Sequence, residues 1–254
     1  MEKQTYARVQ SLNAPAGRVI IVGDIHGCRA QLEELLRTVS FSRETDTLVA
    51  VGDLVNKGPD SFGVVRLLRH LGAYSVLGNH DCMLMNVAEM LKTHRPPADV
   101  SGYELLFSLA ASIPPDVMLY LKELPHILRI PAYNLIVVHA GLHPQRPLEK
   151  QLVEEVTTMR NFIEKGKRSG ERGVTGAEVT LTTSNETDSG VPWASLWRGP
   201  EMVVYGHDAR RGLQTKFMPH ALGLDSGCAG GGQLSAVVFP GGNIVSVPGW
   251  DGSF

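Results

Sequence analysis

The sequence predicts an α/β fold, a mixed β-sheet core flanked by helices. Three observations carry that expectation. Short apolar runs alternate with helix-period stretches through the first half of the chain. The strand-like runs end in glycine beside Asp, Asn or His. The last part returns to short strands separated by glycine-rich turns.

The elements follow in order. Arg18–Val22 (RVIIV) reads as a buried strand, and Arg29–Val39 carries Leu32, Leu35 and Leu36 at helical spacing. Thr47–Val51 is a second strand, Ser61–Leu71 a second helix, and Ala73–Leu77 a third short strand. This β-α-β-α-β order implies parallel pairing at the start of the sheet. A helical stretch runs from Cys82 to about Leu124, broken at Arg95–Pro97 and Ile113–Pro115. Leu135–Val138 is a strand and Leu148–Glu164 has helical character. Residues 166–190 shift to Gly, Ser, Thr and charge, the composition of a surface insertion. Met202–Tyr205, Ala221–Leu224, Leu234–Phe239 and Ile244–Val247 then read as strands added antiparallel to the sheet. No internal repeat interrupts residues 1–254, so one domain is expected.

Composition narrows the function. The chain is 254 residues long and 43% hydrophobic, enough for a sizeable core. A net charge of -2 gives no broad basic field of the kind that holds nucleic acid. Met1 to Arg18 is polar, without the apolar core of a secretory signal, and no apolar run is long enough to span a bilayer. An intracellular, cytoplasmic setting without membrane contact is the expectation. Cys28, Cys82 and Cys228 form no CxxC pair and read as reduced thiols rather than metal ligands.

The polar residues at the strand ends carry the chemistry. The first strand ends Gly23-Asp24-Ile25-His26-Gly27 and the second Gly52-Asp53-Leu54-Val55-Asn56-Lys57-Gly58-Pro59. The third ends Gly78-Asn79-His80-Asp81; later runs end His139-Ala140-Gly141 and Gly206-His207-Asp208. Ligands of open α/β sheets bind at the carboxyl ends of strands, so five such ends converge on one place. Any one of these could be a turn with a capping side chain; unrelated turns rarely repeat one chemistry at one topological position. Two Asp, three His and one Asn suit a borderline first-row ion better than calcium. Six protein ligands are too many for one catalytic ion with an open position, and two ions sharing a carboxylate fit the count.

These motifs, in this order, make the chain resemble the phosphoprotein-phosphatase type of metallophosphoesterase, with its calcineurin-like sandwich. GDIHGC at 23–28, GDLVNKGP at 52–59, GNHD at 78–81 and GLDSGC at 223–228 are more similar to the symmetrical diadenosine-tetraphosphatase and ApaH-like branch than to the classical Ser/Thr phosphatases. The resemblance implies a dinuclear site at the strand ends. Asp24 and His26 would hold the first ion, Asp53 would bridge, and Asn79, His139 and His207 would hold the second. His80 would be the general acid and Lys57 would neutralise a phosphate oxygen. The ions would be manganese, or iron, cobalt or zinc.

Two departures matter. The classical second motif runs GDxxDRG, whereas Asn56 and Lys57 stand here, and Lys lacks the bidentate fork of Arg. A further phosphate-binding arginine has Arg198, Arg210 and Arg211 as candidates, with Asn56 as another phosphate contact. The expected activity is hydrolysis of phosphoanhydrides, in dinucleoside polyphosphates or cap-like 5′–5′ linkages. A protein Ser/Thr phosphatase of the same fold and an inactive metal-binding scaffold are the alternatives. The partners would be a nucleotide or other phosphorylated small molecule, a capped RNA, or a phosphoprotein.

Overall fold

The computed structural model describes residues 5–94, 97, 99–165 and 180–252. The chain opens with β1 (Val9–Ser11), β2 (Arg18–Val22), α1 (Arg29–Thr38), β3 (Asp46–Ala50), α2 (Ser61–Leu71) and β4 (Tyr74–Ser75). Three helices follow, α3 (Asn79–Leu91), α4 (Glu104–Ser112) and α5 (Pro115–Glu123), then β5 (Ile127–Ile130) and β6 (Leu135–Val138). The remainder is α6 (Val153–Thr158), β7 (Asn161–Lys165), β8 (Thr180–Ser184), β9 (Val191–Pro192), β10 (Met202–Tyr205), β11 (Ala221–Gly223), β12 (Gln233–Phe239) and β13 (Asn243–Pro248).

Local chemistry sets the helix ends. Asp60 caps α2, its Oδ1 accepting the Gly63 N–H at 2.9 Å. Gly72, at φ +69°, closes the same helix in the left-handed conformation that glycine adopts without strain.

The strands form two five-stranded sheets, in the orders β13-β12-β2-β3-β4 and β1-β5-β6-β10-β11, and a small sheet β8-β7-β9. In the first, β2, β3 and β4 pair in parallel, as the alternating order predicts, and β12 and β13 add antiparallel. The second sheet corrects the sequence reading. β10 and β11 are not antiparallel additions; β6, β10 and β11 run parallel to one another.

The reason lies in burial. Val19 and Ile21 face a core between the two sheets, with Val137, Val204 and Leu222 opposite. Ile20 and Val22 face α1 to α5 on the other side, and Ile136, Val138 and Val203 face a third core with Trp193, Trp197 and Phe162. Strands buried on both faces are continuous apolar runs that do not reveal which sheet they join.

Two further differences concern the later chain. Leu148–Glu164 is not one helix but a 3-10 turn at Leu148–Lys150, the short α6, and strand β7. The chain becomes extended at Met159, with ψ 134°, and β7 pairs antiparallel with β8. Of the expected insertion at 166–190, residues 166–179 lie outside the described residues, and Thr180–Ser184 is β8. Among the described residues, no single helix is long and apolar enough to cross a membrane.

Candidate metal centre

The carboxyl ends of β2, β3, β6 and β10, with the start of α3, meet where the two sheets adjoin. Backbone bonds weld the loops together. His26 N–H donates to the Asp53 carbonyl (2.8 Å), Gly58 N–H to the His26 carbonyl (2.7 Å) and Gly206 N–H to the His139 carbonyl (2.8 Å). The packing admits no side chain at two of the glycines. A Cβ on Gly78 would stand 2.1 Å from Asp53 Oδ1, and one on Gly206 would stand 1.9 Å from Asp24 Oδ1. Of the seven described non-glycine residues with positive φ, five are here: His26, Asp53, Asn56, Lys57 and His207. Such backbone persists only where surroundings enforce it, and it gathers at functional sites.

The six residues named from the motifs come together. Asp53 Oδ2 lies 3.4 Å from His26 Nε2, and Asp53 Oδ1 lies 3.5 Å from His139 Nε2. Asn79 Oδ1 is 3.0 Å from both His139 Nε2 and His207 Nδ1. Asp24 accepts the His207 backbone N–H on both oxygens, at 3.2 and 3.1 Å. Two groups, His26–Asp53–His80 and Asp53–His139–His207, each bring their ligand atoms within 4.8 Å of one another, with Asp53 common to both.

The donor set fits two cations. Each of the three imidazoles gives one N–H to a backbone carbonyl. His26 Nδ1 donates to Val55 (3.0 Å), His139 Nδ1 to Val51 (2.9 Å) and His207 Nε2 to Thr158 (3.0 Å). That fixes each tautomer and leaves the opposite nitrogen as a lone pair facing the site. Around Asn79 Oδ1, three lone-pair atoms then face one another with no proton between them, an arrangement that a cation relieves. Charge points the same way. Burial pushes the Asp24 carboxyl well up, with Asp225 and then Asp53 adding to it. Burial also keeps His26 and His207 neutral, lowering His26 to about 4 and His207 well below its usual value. Bound cations would supply positive charge that these two imidazoles do not.

His80 stands half-buried at the edge, its ring T-shaped against His26 with centroids 4.9 Å apart. Its Nδ1 is 2.9 Å from Asn56 Nδ2. The Asn56 amide has one sensible orientation, because Oδ1 accepts the Lys57 N–H at 2.9 Å. Asn56 therefore donates to Nδ1, and the proton of neutral His80 sits on Nε2. Burial lowers the His80 pKa, with Asp53 opposing and Lys57 reinforcing the shift.

Three residues with no role assigned from the motifs belong here. Asp81 is buried and ties the β3 loop to α3, accepting N–H bonds from Leu54 (2.9 Å), Val55 (3.3 Å) and Gly78 (3.0 Å). Burial, then Asp53, push its carboxyl up to about 8 against those donors. Its signal was an acid at the third helical position after glycine. Asp225, buried after β11, accepts the Gly227 N–H at 3.1 Å and lies close enough to raise Asp24. Arg160 donates to the His207 carbonyl (3.1 Å) and the Asn185 carbonyl (2.9 Å). Its Nε makes no hydrogen bond among the described residues but stands 3.7 Å from Asp208 Oδ1 as an ion pair. Reading 148–164 as helix concealed Arg160.

The three arginines taken from the sequence are placed otherwise. Arg211 is committed to Asp208 Oδ2, Asn161 Oδ1 and the Thr187 carbonyl, clamping the turn after His207. Arg210 is exposed beside Asp188 at 3.2 Å. Arg198 is exposed and donates to the Trp197 carbonyl.

Known proteins resemble this chain. A family model described as calcineurin-like phosphoesterase matches residues 17–211. A symmetrical bis(5′-nucleosyl)-tetraphosphatase of Coxiella burnetii (strain CbuG_Q212) is 29% identical over 269 residues, covering 90% of each chain. One from Shewanella baltica (strain OS155) is 44% identical over 130 residues, covering 50% of this chain and 46% of its own. A solved crystal structure, provisionally described as a diadenosine tetraphosphatase, is 62% identical with a TM-score of 0.85, covering 97% of this chain and 100% of its own.

Proposed function

The chain belongs to the calcineurin-like phosphoesterase family, and we propose that it hydrolyses the phosphoanhydride chain of dinucleoside polyphosphates of the diadenosine tetraphosphate type. The names of its relatives support that substrate. The observation that carries the proposal is the Asn56–His80 pair.

Asp24, His26 and Asp53 would hold one divalent ion and Asp53, Asn79, His139 and His207 the other, with manganese as the expected metal and iron, cobalt or zinc as alternatives. When bound, the ions supply charge neutralisation of the phosphate and activation of water. The chain's own residues do the rest. His80 offers its Nε2 proton to the departing oxygen. Lys57 and Arg160 flank the centre with positive charge for the non-bridging oxygens. Arg160 is proposed ahead of Arg198, Arg210 and Arg211 because it bonds the carbonyl of His207 itself. Arg160→Ala is expected to lower kcat/KM on the order of 10²-fold, the cost typical of losing one electrostatic donor. Steady-state kinetics check it, and an unchanged kcat/KM rejects the role.

A carboxylate at position 56 would accept the His80 Nδ1 proton and hold the ring as imidazolium. That helps an alkoxide leave, as in phosphoserine. Neutral Asn56 instead donates to Nδ1 and leaves a weaker acid. A nucleotide departing from a phosphoanhydride is a far weaker base and needs less help. The test is a panel of diadenosine tetraphosphate, a capped RNA fragment, a phosphoserine peptide and p-nitrophenyl phosphate with Mn, Co, Zn and Mg. Diadenosine tetraphosphate is expected to be cleaved fastest. Asn56→Asp is expected to raise the His80 pKa, introduce a limb into the pH–rate profile near neutrality, and shift relative activity towards poor leaving groups. Faster cleavage of phosphoserine by the wild type would reverse the assignment.

A further inference from the structure

Lys57 stands where a metal ion would have to bind. Its backbone is left-handed, at φ +66°, and its stem is exposed, yet Nζ turns inward to 2.7 Å from His26 Nε2. That nitrogen is the lone pair of the ring, because Nδ1 is committed to the Val55 carbonyl. An ammonium has donors and no acceptor, so the contact is a hydrogen bond from lysine into imidazole. A metal ion held by His26 would use the same lone pair. The two cations exclude each other there.

The surroundings suit such a charge. Lys57 acts on both buried carboxylates near it, Asp24 and Asp225. Its backbone is pinned, since Gly58 N–H bonds the His26 carbonyl and Asn56 N–H bonds Ser61 Oγ at 2.9 Å. The side chain is free to move by rotation about its exposed stem, with no change in the loop.

We propose that Lys57 is a built-in counter-cation of the first metal half-site. In the metal-free protein its ammonium covers His26 Nε2 and balances the carboxylates. An ion arriving at His26 displaces it to the open side of the cleft, where it meets substrate phosphate. This rests on the metal-centre reading and deepens it, making metal loading and release of Lys57 one event, coupled reciprocally.

The test compares chelator-stripped wild type and Lys57→Met by calorimetric titration with Mn²⁺ and by melting. Nitrogen-15 spectra of the lysine ammonium groups in wild type, titrated with Zn²⁺, provide a readout that needs no variant. Lys57→Met should bind its first ion about thirtyfold tighter, the factor expected for removing one unit charge about 4 Å from a divalent ion in water. Metal-free Lys57→Met should melt below metal-free wild type, while the zinc-loaded proteins melt together. A lysine that merely repelled the ion would not stabilise the metal-free protein. The Lys57 ammonium signal should be hydrogen-bonded and slowly exchanging without metal and lost at one equivalent of zinc. Wild-type affinity in Lys57→Met, an unchanged metal-free melting temperature, or a signal that survives zinc overturns the proposal. If the metal centre itself were misread, neither protein would take up two ions, a different result.

Discussion

Asp53→Asn is expected to reduce turnover on the order of 10³-fold or more and to lower metal content below two ions per chain, because it strikes the one group shared by both halves of the site. Asp53 Oδ1 accepts the His80 backbone N–H at 2.9 Å, which an asparagine oxygen can keep. The fold should therefore survive. The amide nitrogen must then occupy the place of Oδ2, 3.4 Å from His26 Nε2. An N–H donor would face a lone pair intended for a metal ion, and the negative charge between His26 and His139 would be gone. Loss of metal and loss of rate should appear together, by elemental analysis and steady-state kinetics on the same preparation. Melting separates this from misfolding. The metal-free variant should still melt in one cooperative transition, since the bond from the His80 N–H is kept. Near-wild-type turnover with two ions bound would remove Asp53 from its shared position.

Much of this site was legible because its chemistry is local to strand ends. Asp24 and His26 share one loop, Asp53 to Lys57 another, and Asn79 and His80 open one helix; short spacing and adjacent glycines expose such groupings in a sequence. Arg160 was not legible, because its relation to the site depends on tertiary placement. It lies 47 positions from the His207 carbonyl that it bonds, at a point where apolar residues fit a helical period although the chain turns into a strand. Asp81 shows the opposite difficulty. It stands beside the motif residues Asn79 and His80, but its oxygens turn away to three backbone N–H groups. Sheet membership was hidden for a further reason. Val19 to Val22 and Val203 to Val204 are buried on both faces, so alternation, the usual indicator of a sheet's exposed side, is absent.

His80→Asn should separate acid catalysis from metal binding. The substitution keeps the backbone N–H that bonds Asp53, so α3 should start unchanged. It removes the Nε2 proton that Asn56, by donating to Nδ1, places on the outward nitrogen. Turnover is expected to fall by roughly 10²–10⁴-fold, the usual contribution of a positioned acid, with both ions retained. The loss should be graded by leaving group. It should be largest for a phosphoserine peptide, whose alkoxide needs the proton most, and smallest for p-nitrophenyl phosphate. The pH dependence follows from the direction of the His80 shift. Its pKa lies below the ordinary imidazole value, chiefly through burial, so near pH 7 the ring is already neutral. The acid in use is then the neutral ring's Nε2–H, and His80 should contribute no limb to the wild-type profile between about pH 7 and 8. Asn56→Asp, which raises that pKa, should introduce one, with the rate on poor leaving groups falling as pH rises through it. Because His80 also lies among the ligand atoms of His26 and Asp53, metal analysis of His80→Asn is the decisive companion measurement. Release of an ion would make His80 a ligand, and a loss of rate equal for every leaving group would deny it the role of acid.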